Sequence, residues 1–205
     1  MRVFFVRHGE TDWNLAGRYQ GRADIALCAA GRERARQIGK RMRDANISLI
    51  LSSPLLRAER TAGLIKAHLG LVRTAVDSRL TEIDFGDWQG RTQQEIKERW
   101  PEVLRSWKRR PDTFRFPAGE SLLEAHERIL DFVRNPPWVA RPIEGDVLVV
   151  SHAGPIRLAS LIADQRSLES FRGISIRSGE IYEFEWRAGV GLRRFGGGQP
   201  AKDIL

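Results

Sequence analysis

The sequence predicts an α/β sandwich on a mostly parallel sheet, and three observations predict it. Three short apolar runs, Val3–Val6, Ile47–Leu51 and Val147–Val150, are continuous, as strands buried on both faces are. Each is followed by a polar turn and a helical pattern, so β and α elements alternate. No internal repeat or low-complexity linker divides the chain, and 205 residues suffice for one sizeable core.

Val3–Val6 is the first strand. Gly31 to Asp44 reads as a helix, and Ile47–Leu51 as the second strand. Arg57 to Leu69 is a helix with Ala58, Ala62, Ile65 and Leu69 at spacings of three or four. The stretch from Glu82 to Pro117 differs: Trp88, Trp100 and Trp107 stand among the breakers Pro101, Pro111 and Pro117. It reads as a loop with short helices that caps the sheet, its tryptophans packed against the cap, and such insertions often cover a site. Glu120 to Val133 is a third helix, with Leu122, His126, Ile129, Leu130 and Val133 as its stripe, and Val147–Val150 is the third strand. Tyr182 to Phe195 alternates weakly and suits a hairpin at the sheet edge, turning near Ala188-Gly189. The expected organisation is one domain over residues 1–195, with an insertion at about 83–118. A loosely ordered tail, with Gly196-Gly197-Gly198 and Pro200, follows over 196–205.

Apolar residues make up 41 % and charged residues 29 % of the chain, an ordinary balance for a soluble protein. The lone cysteine, Cys28, excludes an internal disulfide and fits a reducing compartment. The four-residue run Val3–Val6 is too short for a secretory signal core or a membrane span, so a soluble cytoplasmic protein with no membrane partner is expected. The net charge of +8 raises nucleic acid as a partner. The basic residues are, however, interleaved with acids, as in Arg32-Glu33-Arg34, which marks solvated helix faces. The densest basic run, Lys108-Arg109-Arg110, reads as a solvated helix end, and no aromatic-basic motif of a nucleic-acid module is present. No nucleic-acid partner is expected.

In open α/β sheets ligands bind beyond the carboxyl ends of the strands. After the first strand comes Arg7-His8-Gly9-Glu10-Thr11; after the second, Ser52-Ser53-Pro54 with Arg57 just beyond; after the third, Ser151-His152-Ala153-Gly154. Two histidines and two arginines therefore meet at one sheet edge, where ionisable groups are costly to bury without partners. The set suits phosphate. Guanidinium groups match phosphate oxygens, and backbone N–H groups in the Gly9 turn and at a helix start are expected as further donors. A neutral imidazole can attack phosphorus, and positive donors stabilise the charge spread over the equatorial oxygens. A second histidine, if protonated, would be one such donor, and a carboxylic acid would protonate the leaving alkoxide. His68 reads as a solvated residue near a helix end and His126 as a core residue, leaving His8 and His152 as the reactive pair. A zinc site would need three or four ligands at recognisable spacing, and no HxH, HExxH or CxxC occurs, so no metal and no cofactor are expected.

Arg7-His8-Gly9-Glu10-Thr11 resembles the signature of the histidine phosphatase superfamily, also called the phosphoglycerate mutase-like family. Further blocks follow in that family's order. They are Asn14, Gly17 to Gly21, Asp24, Leu27 and Gly31; Ser52 to Ala58; Leu80-Thr81-Glu82; Phe85 to Gly90; Gly119-Glu120-Ser121; and Ser151 to Gly154. The resemblance implies a three-layer α/β sandwich with a mostly parallel central sheet and a helical cap insertion. It implies that His8 is the phosphorylated nucleophile and that Arg7, Arg57 and His152 bind the transferring group with Asn14 assisting. Glu82 would be the proton donor, and Gln20 and Gly21 would line the entrance. Residue chemistry alone leaves Glu82, Asp84, Asp87 and Glu120 open as the acid. The resemblance implies metal-independent hydrolysis of a small organic phosphate, because the mutases of the family are usually longer and Phe85 to Gly90 fits its phosphatase branch. A mutase is the alternative, and a non-catalytic binder of phosphorylated ligands the second. One departure stands out. Where the family has Pro-Leu-Thr or Pro-Leu-Ser, this chain has Ala26-Leu27-Cys28. The lost hydroxyl is expected to remove a helix N-cap at ~0.5–2 kcal/mol and to leave Cys28 a small buried residue.

Overall fold

The computed structural model describes residues 1–195; the tail expected over 196–205 lies outside the described residues. Six strands form one sheet: β1 (Arg2–Arg7), β2 (Ile47–Ser52), β3 (Arg73–Val76), β4 (Asp146–Ser151), β5 (Ile181–Arg187) and β6 (Gly191–Arg194). Their order is β3-β2-β4-β1-β5-β6. The first four are mutually parallel, while β5 and β6 form an antiparallel hairpin added to β1. The helices are α1 (Asp12–Leu15), α2 (Ala29–Arg41), α3 (Leu56–Lys66), α4 (Gln93–Arg99), α5 (Pro101–Arg109), α6 (Leu122–Arg134), α7 (Pro137–Ala140) and α8 (Ala153–Asp164).

The three layers follow from strand periodicity, because successive side chains point to opposite faces. Phe4, Val6, Ile50, Leu148 and Val150 face Ile38 of α2, Met42 just past its end, and Ala58, Ala62 and Ile65 of α3. Val3, Phe5, Leu49, Leu51, Val147 and Val149 face α6, α8 and the cap. The 83–118 region is a loop with short helices, α4 and α5 among them, and its Trp88 and Trp107 are buried against Phe114 and Phe116.

Three readings need correction. The buried stripe of α6 is Leu122, Ala125, Ile129, Phe132 and Val133. His126 and Leu130 flank it half-buried, because the helix is rotated to seat Phe132 against Phe5. His68 lies beyond the end of α3 and is half-buried, close to Gly39 of α2, where the absence of a side chain lets the helices approach. Cys28 is half-buried and is itself the N-cap of α2: its Sγ accepts from Gly31 N–H at 3.4 Å, so a thiol fills the role expected to be lost with the hydroxyl. β3 carries no apolar run, since all four of its residues are exposed at the sheet edge.

The loop after β1 is pressed onto the start of α2. A methyl group on Gly9 would collide with the Gly31 carbonyl, and one on Gly31 with the Glu10 backbone. Gly31→Ala therefore forces the two backbones apart beside His8. We expect a loss of about 1–3 kcal/mol in chemical denaturation, the usual range for overpacking, together with reduced turnover. Unchanged stability and activity would contradict this close approach.

Candidate active site

β1 and β4 are neighbours in parallel register, with Arg7 opposite Ser151. His8 N–H continues the ladder by donating to Ser151 O at 3.0 Å. His8 and His152 thus end adjacent strands, their ring centroids 5.0 Å apart. Arg57 lies in the first turn of α3, whose amino end is capped by Asp24 through a 2.7 Å bond from Leu56 N–H. His8, Arg57, Glu82 and His152 are exposed by only 3 %, 1 %, 7 % and 0 %.

The His8 ring is fixed at both nitrogens. Nδ1 lies 2.7 Å from Gly9 O, which can only accept, so Nδ1 carries the proton. Nε2 accepts from Arg57 Nε at 3.2 Å and presents a lone pair. Burial, then Arg57 and Arg7, holds the imidazole well below the ordinary histidine pKa, against the Gly9 carbonyl. His152 is held low in the same way by burial, then Arg57, His8, Arg128 and Arg7. Its Nε2 lies 2.7 Å from Ser53 Oγ, which also accepts from Leu55 N–H at 3.3 Å. This arrangement favours a proton from Ser53 to Nε2 and a hydrogen on Nδ1, which has no protein partner among the described residues. Arg57 donates through its terminal nitrogens to Gly21 O and Ala23 O, both at 2.7 Å. Burial lowers its pKa to about 10, opposed by Glu82 and Asp24. Arg7 donates to Ile176 O at 3.2 Å, while its buried Nε is unpartnered. Orphaned buried donors of this kind are rare unless a ligand uses them.

A cavity of about 350 Å³ is lined by Arg7, His8, Asn14, Gln20, Gly21, Arg57 and Glu82; His152, its ring 5.0 Å from that of His8, is not part of the lining. Of the four acids left open by the sequence, Glu82 alone lines it. Glu82 Oε1 accepts from Ile83 N–H at 2.9 Å and Gly154 N–H at 3.2 Å, while Oε2 has only a 3.4 Å contact to Gly154 N. A methyl group on Gly154 would displace the Glu82 carboxylate and the Ile83 side chain, so glycine here lets Glu82 sit against the start of α8. Glu120 is engaged by Arg22 and Arg128, Asp84 accepts from Gly86 N–H, and Asp87 is exposed. Asn14 Oδ1 is taken up by Thr11 in the cap of α1. Gln20 Oε1 is buried without a partner.

Two of the backbone donors expected for phosphate are occupied. Gly9 N–H donates to Thr61 Oγ1 at 3.0 Å, and the start of α8 holds Glu82 through Gly154 N–H. Both amides thus find internal partners, as buried amides do. In the cap, Trp107 and Lys108 line the cavity; Trp100, Arg105, Arg109 and Arg110 do not. Tyr19, Arg157, Phe171 and Arg172 line it as well and were not singled out from the sequence. Arg157 carried a signal, since it lies three residues beyond Gly154 on α8, on the face of the site. Among the described residues, no three His, Cys, Asp or Glu side chains are grouped to hold a metal ion, and no helix is long and apolar enough to cross a membrane.

An unprotonated imidazole nitrogen beside paired guanidinium groups, with one carboxylate in the same cavity, defines a phosphate-handling site of the histidine type. The chain belongs to the histidine phosphatase superfamily (branch 1), whose family model matches residues 3–193. It is 34 % identical over 199 residues to Phosphoserine phosphatase 1 of Hydrogenobacter thermophilus, covering 94 % of this chain and 91 % of that protein. It is 35 % identical over 198 residues to a protein of Salmonella arizonae named Probable phosphoglycerate mutase GpmB, covering 92 % and 88 %. Among solved structures, Bacillus stearothermophilus YhfR superposes with a TM-score of 0.86 at 27 % identity, covering 98 % of each chain.

The two buried neutral histidines set an acid limit on stability. With folded pKa values below the ordinary value of about 6.5, the unfolded chain binds more protons below that pH, so stability falls as pH drops through 6.5. Each histidine adds a slope of at most about 1.4 kcal/mol per pH unit. We expect His152→Gln to flatten this slope between pH 6.5 and 5 in phosphate-free denaturation experiments, and an unaltered slope would show that His152 is not held neutral.

Proposed function

We propose that the chain hydrolyses small organic phosphomonoesters, without a metal ion, through a phosphohistidine on His8. The observation that carries this reading is the His8 Nε2 lone pair beside Arg57, in a cavity shared with Arg7 and Glu82. Nε2 attacks phosphorus and forms the P–N bond as the bond to the ester oxygen breaks. The Arg57 Nε–H now bonded to Nε2 turns to a phosphoryl oxygen, joined by Arg7 Nε and His152 Nδ1–H as electrostatic stabilisers. Asn14 assists through its amide nitrogen, and Gln20 and Gly21 border the entrance. Glu82 Oε2 gives its proton to the leaving oxygen and then takes one from the water that attacks phosphorus, breaking the P–N bond and releasing phosphate. Supporting this reading are the family membership and the similarity to a named phosphoserine phosphatase. The similarity to GpmB favours a second reading, in which the phosphoryl group returns to the bound product and not to water.

Para-nitrophenyl phosphate hydrolysis with EDTA present separates these outcomes. Wild-type activity that resists EDTA and is abolished in His8→Ala is expected, with the variant folded by circular dichroism. Inactivity of the wild type, combined with interconversion of phosphoglycerates, would favour the mutase. Glu82→Gln should slow alkyl phosphates by ~10²–10⁴ and activated aryl phosphates far less, because a good leaving group needs little protonation. Equal losses for both would remove Glu82 from the role of acid.

A further inference from the structure

The cavity is more basic than one phosphoryl group requires. Six of its lining side chains are basic (Arg7, Arg18, Arg57, Lys108, Arg157 and Arg172) and one, Glu82, is acidic. Arg18 is neutralised by Glu95 at 2.9 Å. Arg7 and Arg57 belong to the catalytic half. That leaves Arg157, Arg172 and Lys108, which form a cluster of their own. Arg157 stands over the Phe171 ring at 5.4 Å and donates to Ile174 O at 2.7 Å. The next residue, Arg172, donates to the backbone carbonyl of Lys108 at 3.1 Å. Trp107 closes the group against Phe171, with ring centroids 5.9 Å apart. The charges of Arg172 and Arg157 both act on the Tyr19 hydroxyl.

None of the three has a carboxylate within 4 Å among the described residues. The well-covered arginines elsewhere do: Arg79 pairs with Asp77 and Asp131, Arg128 with Glu120, and Arg194 with Asp164. Arg157 and Arg172 are instead held by carbonyl oxygens, as Arg7 and Arg57 are. A carbonyl fixes the direction of a guanidinium and leaves its charge to a ligand. Arg157 is half-buried, and a half-buried cation without an ion-pair partner is costly; Lys108 and Arg172 are exposed at the rim of the same cavity, and an anionic ligand there would meet all three charges.

We propose that Arg157, Arg172 and Lys108, with the Tyr19 hydroxyl, form a second anion subsite, so that the substrate is a small organic phosphate carrying a second negative group. The subsite rests on the reading of the first half of the cavity as the phosphoryl site. Trp107 and Phe171 provide an apolar wall for the skeleton between the two anions. The cavity volume of about 350 Å³ falls at the small end of ligand sites and confines the substrate to a small molecule.

Phosphonates test this directly on the wild-type protein, because their P–C bond cannot be hydrolysed. Calorimetric affinities of phosphonoacetate, 3-phosphonopropionate and 4-phosphonobutyrate are compared with those of alkylphosphonates of matching length. At one chain length or more, the carboxylate should tighten binding about tenfold or more, in keeping with a charge-assisted hydrogen bond. Arg157→Met and the exposed Arg172→Met should each shrink that ratio. The same ratio measured for alkane bisphosphonates tells a second phosphoryl group from a carboxylate as the preferred anion. Equal affinities at every length, or ratios unaltered in both variants, overturn the subsite. Hydrolysis of para-nitrophenyl phosphate with no carboxylate preference would retire the subsite alone. A carboxylate preference lost in the variants, without any hydrolysis, would retire the hydrolytic reading alone.

Discussion

The parallel pairing of β1 with β4, carried one residue past the strands by the bond from His8 N–H to Ser151 O, is the constraint on which the site depends. It sets two imidazoles side by side just past the carboxyl ends of the two central strands, both almost fully buried. Burial there keeps both rings neutral, and neutrality makes His8 Nε2 an acceptor for Arg57. The loop carrying His8 can sit so close to α2 only because Gly9 and Gly31 lack side chains. The loop carrying Glu82 is tied to α8 by the same logic at Gly154. Sheet order, backbone proximity and protonation state are thus one connected arrangement.

Much of this was legible because the informative residues sit at strand ends. Val3–Val6, Ile47–Leu51 and Val147–Val150 are strands central enough to be apolar on both faces, and the groups following them converge as their topology requires. β3 was not legible, because an edge strand with four exposed residues carries no hydrophobic pattern. The α6 stripe was misjudged around His126, since periodicity alone did not tell Phe132 from its neighbours as the inward residue. Cys28 was assigned no capping role because a thiol is a poor acceptor, yet the backbone geometry of the cap persists around it. Amide donors were expected to hold phosphate, but the competition from Thr61 and Glu82 for those amides is a tertiary fact. The choice among four acids likewise depended on which loop faces the cavity, and spacing does not encode that.

The arginines of the cavity are anchored in a way that separates orientation from charge. Arg57 is gripped by Gly21 O and Ala23 O, and that loop is in turn held by Gln89 Oε1, which accepts from Arg22 N–H and Ala23 N–H. Glu120 ties the loop after Glu82 to α6 through Asp84 N–H and Arg128. Side-chain acceptors, the Gln89 amide and the Glu120 carboxylate, therefore brace the surrounding loops, while backbone carbonyls brace Arg7, Arg57 and Arg157.

This use of neutral dipoles has a consequence for ionic strength. Mobile ions screen the attraction between separated charges, with a Debye length of about 8 Å at physiological salt, and they act far less on short hydrogen bonds to buried carbonyls. Added salt will thus slow the capture of an anionic ligand and weaken its hold, while the guanidinium groups of Arg7, Arg57 and Arg157 keep their aim. Encounter and geometry become separately adjustable properties: the first is set by the solution and the second by the fold.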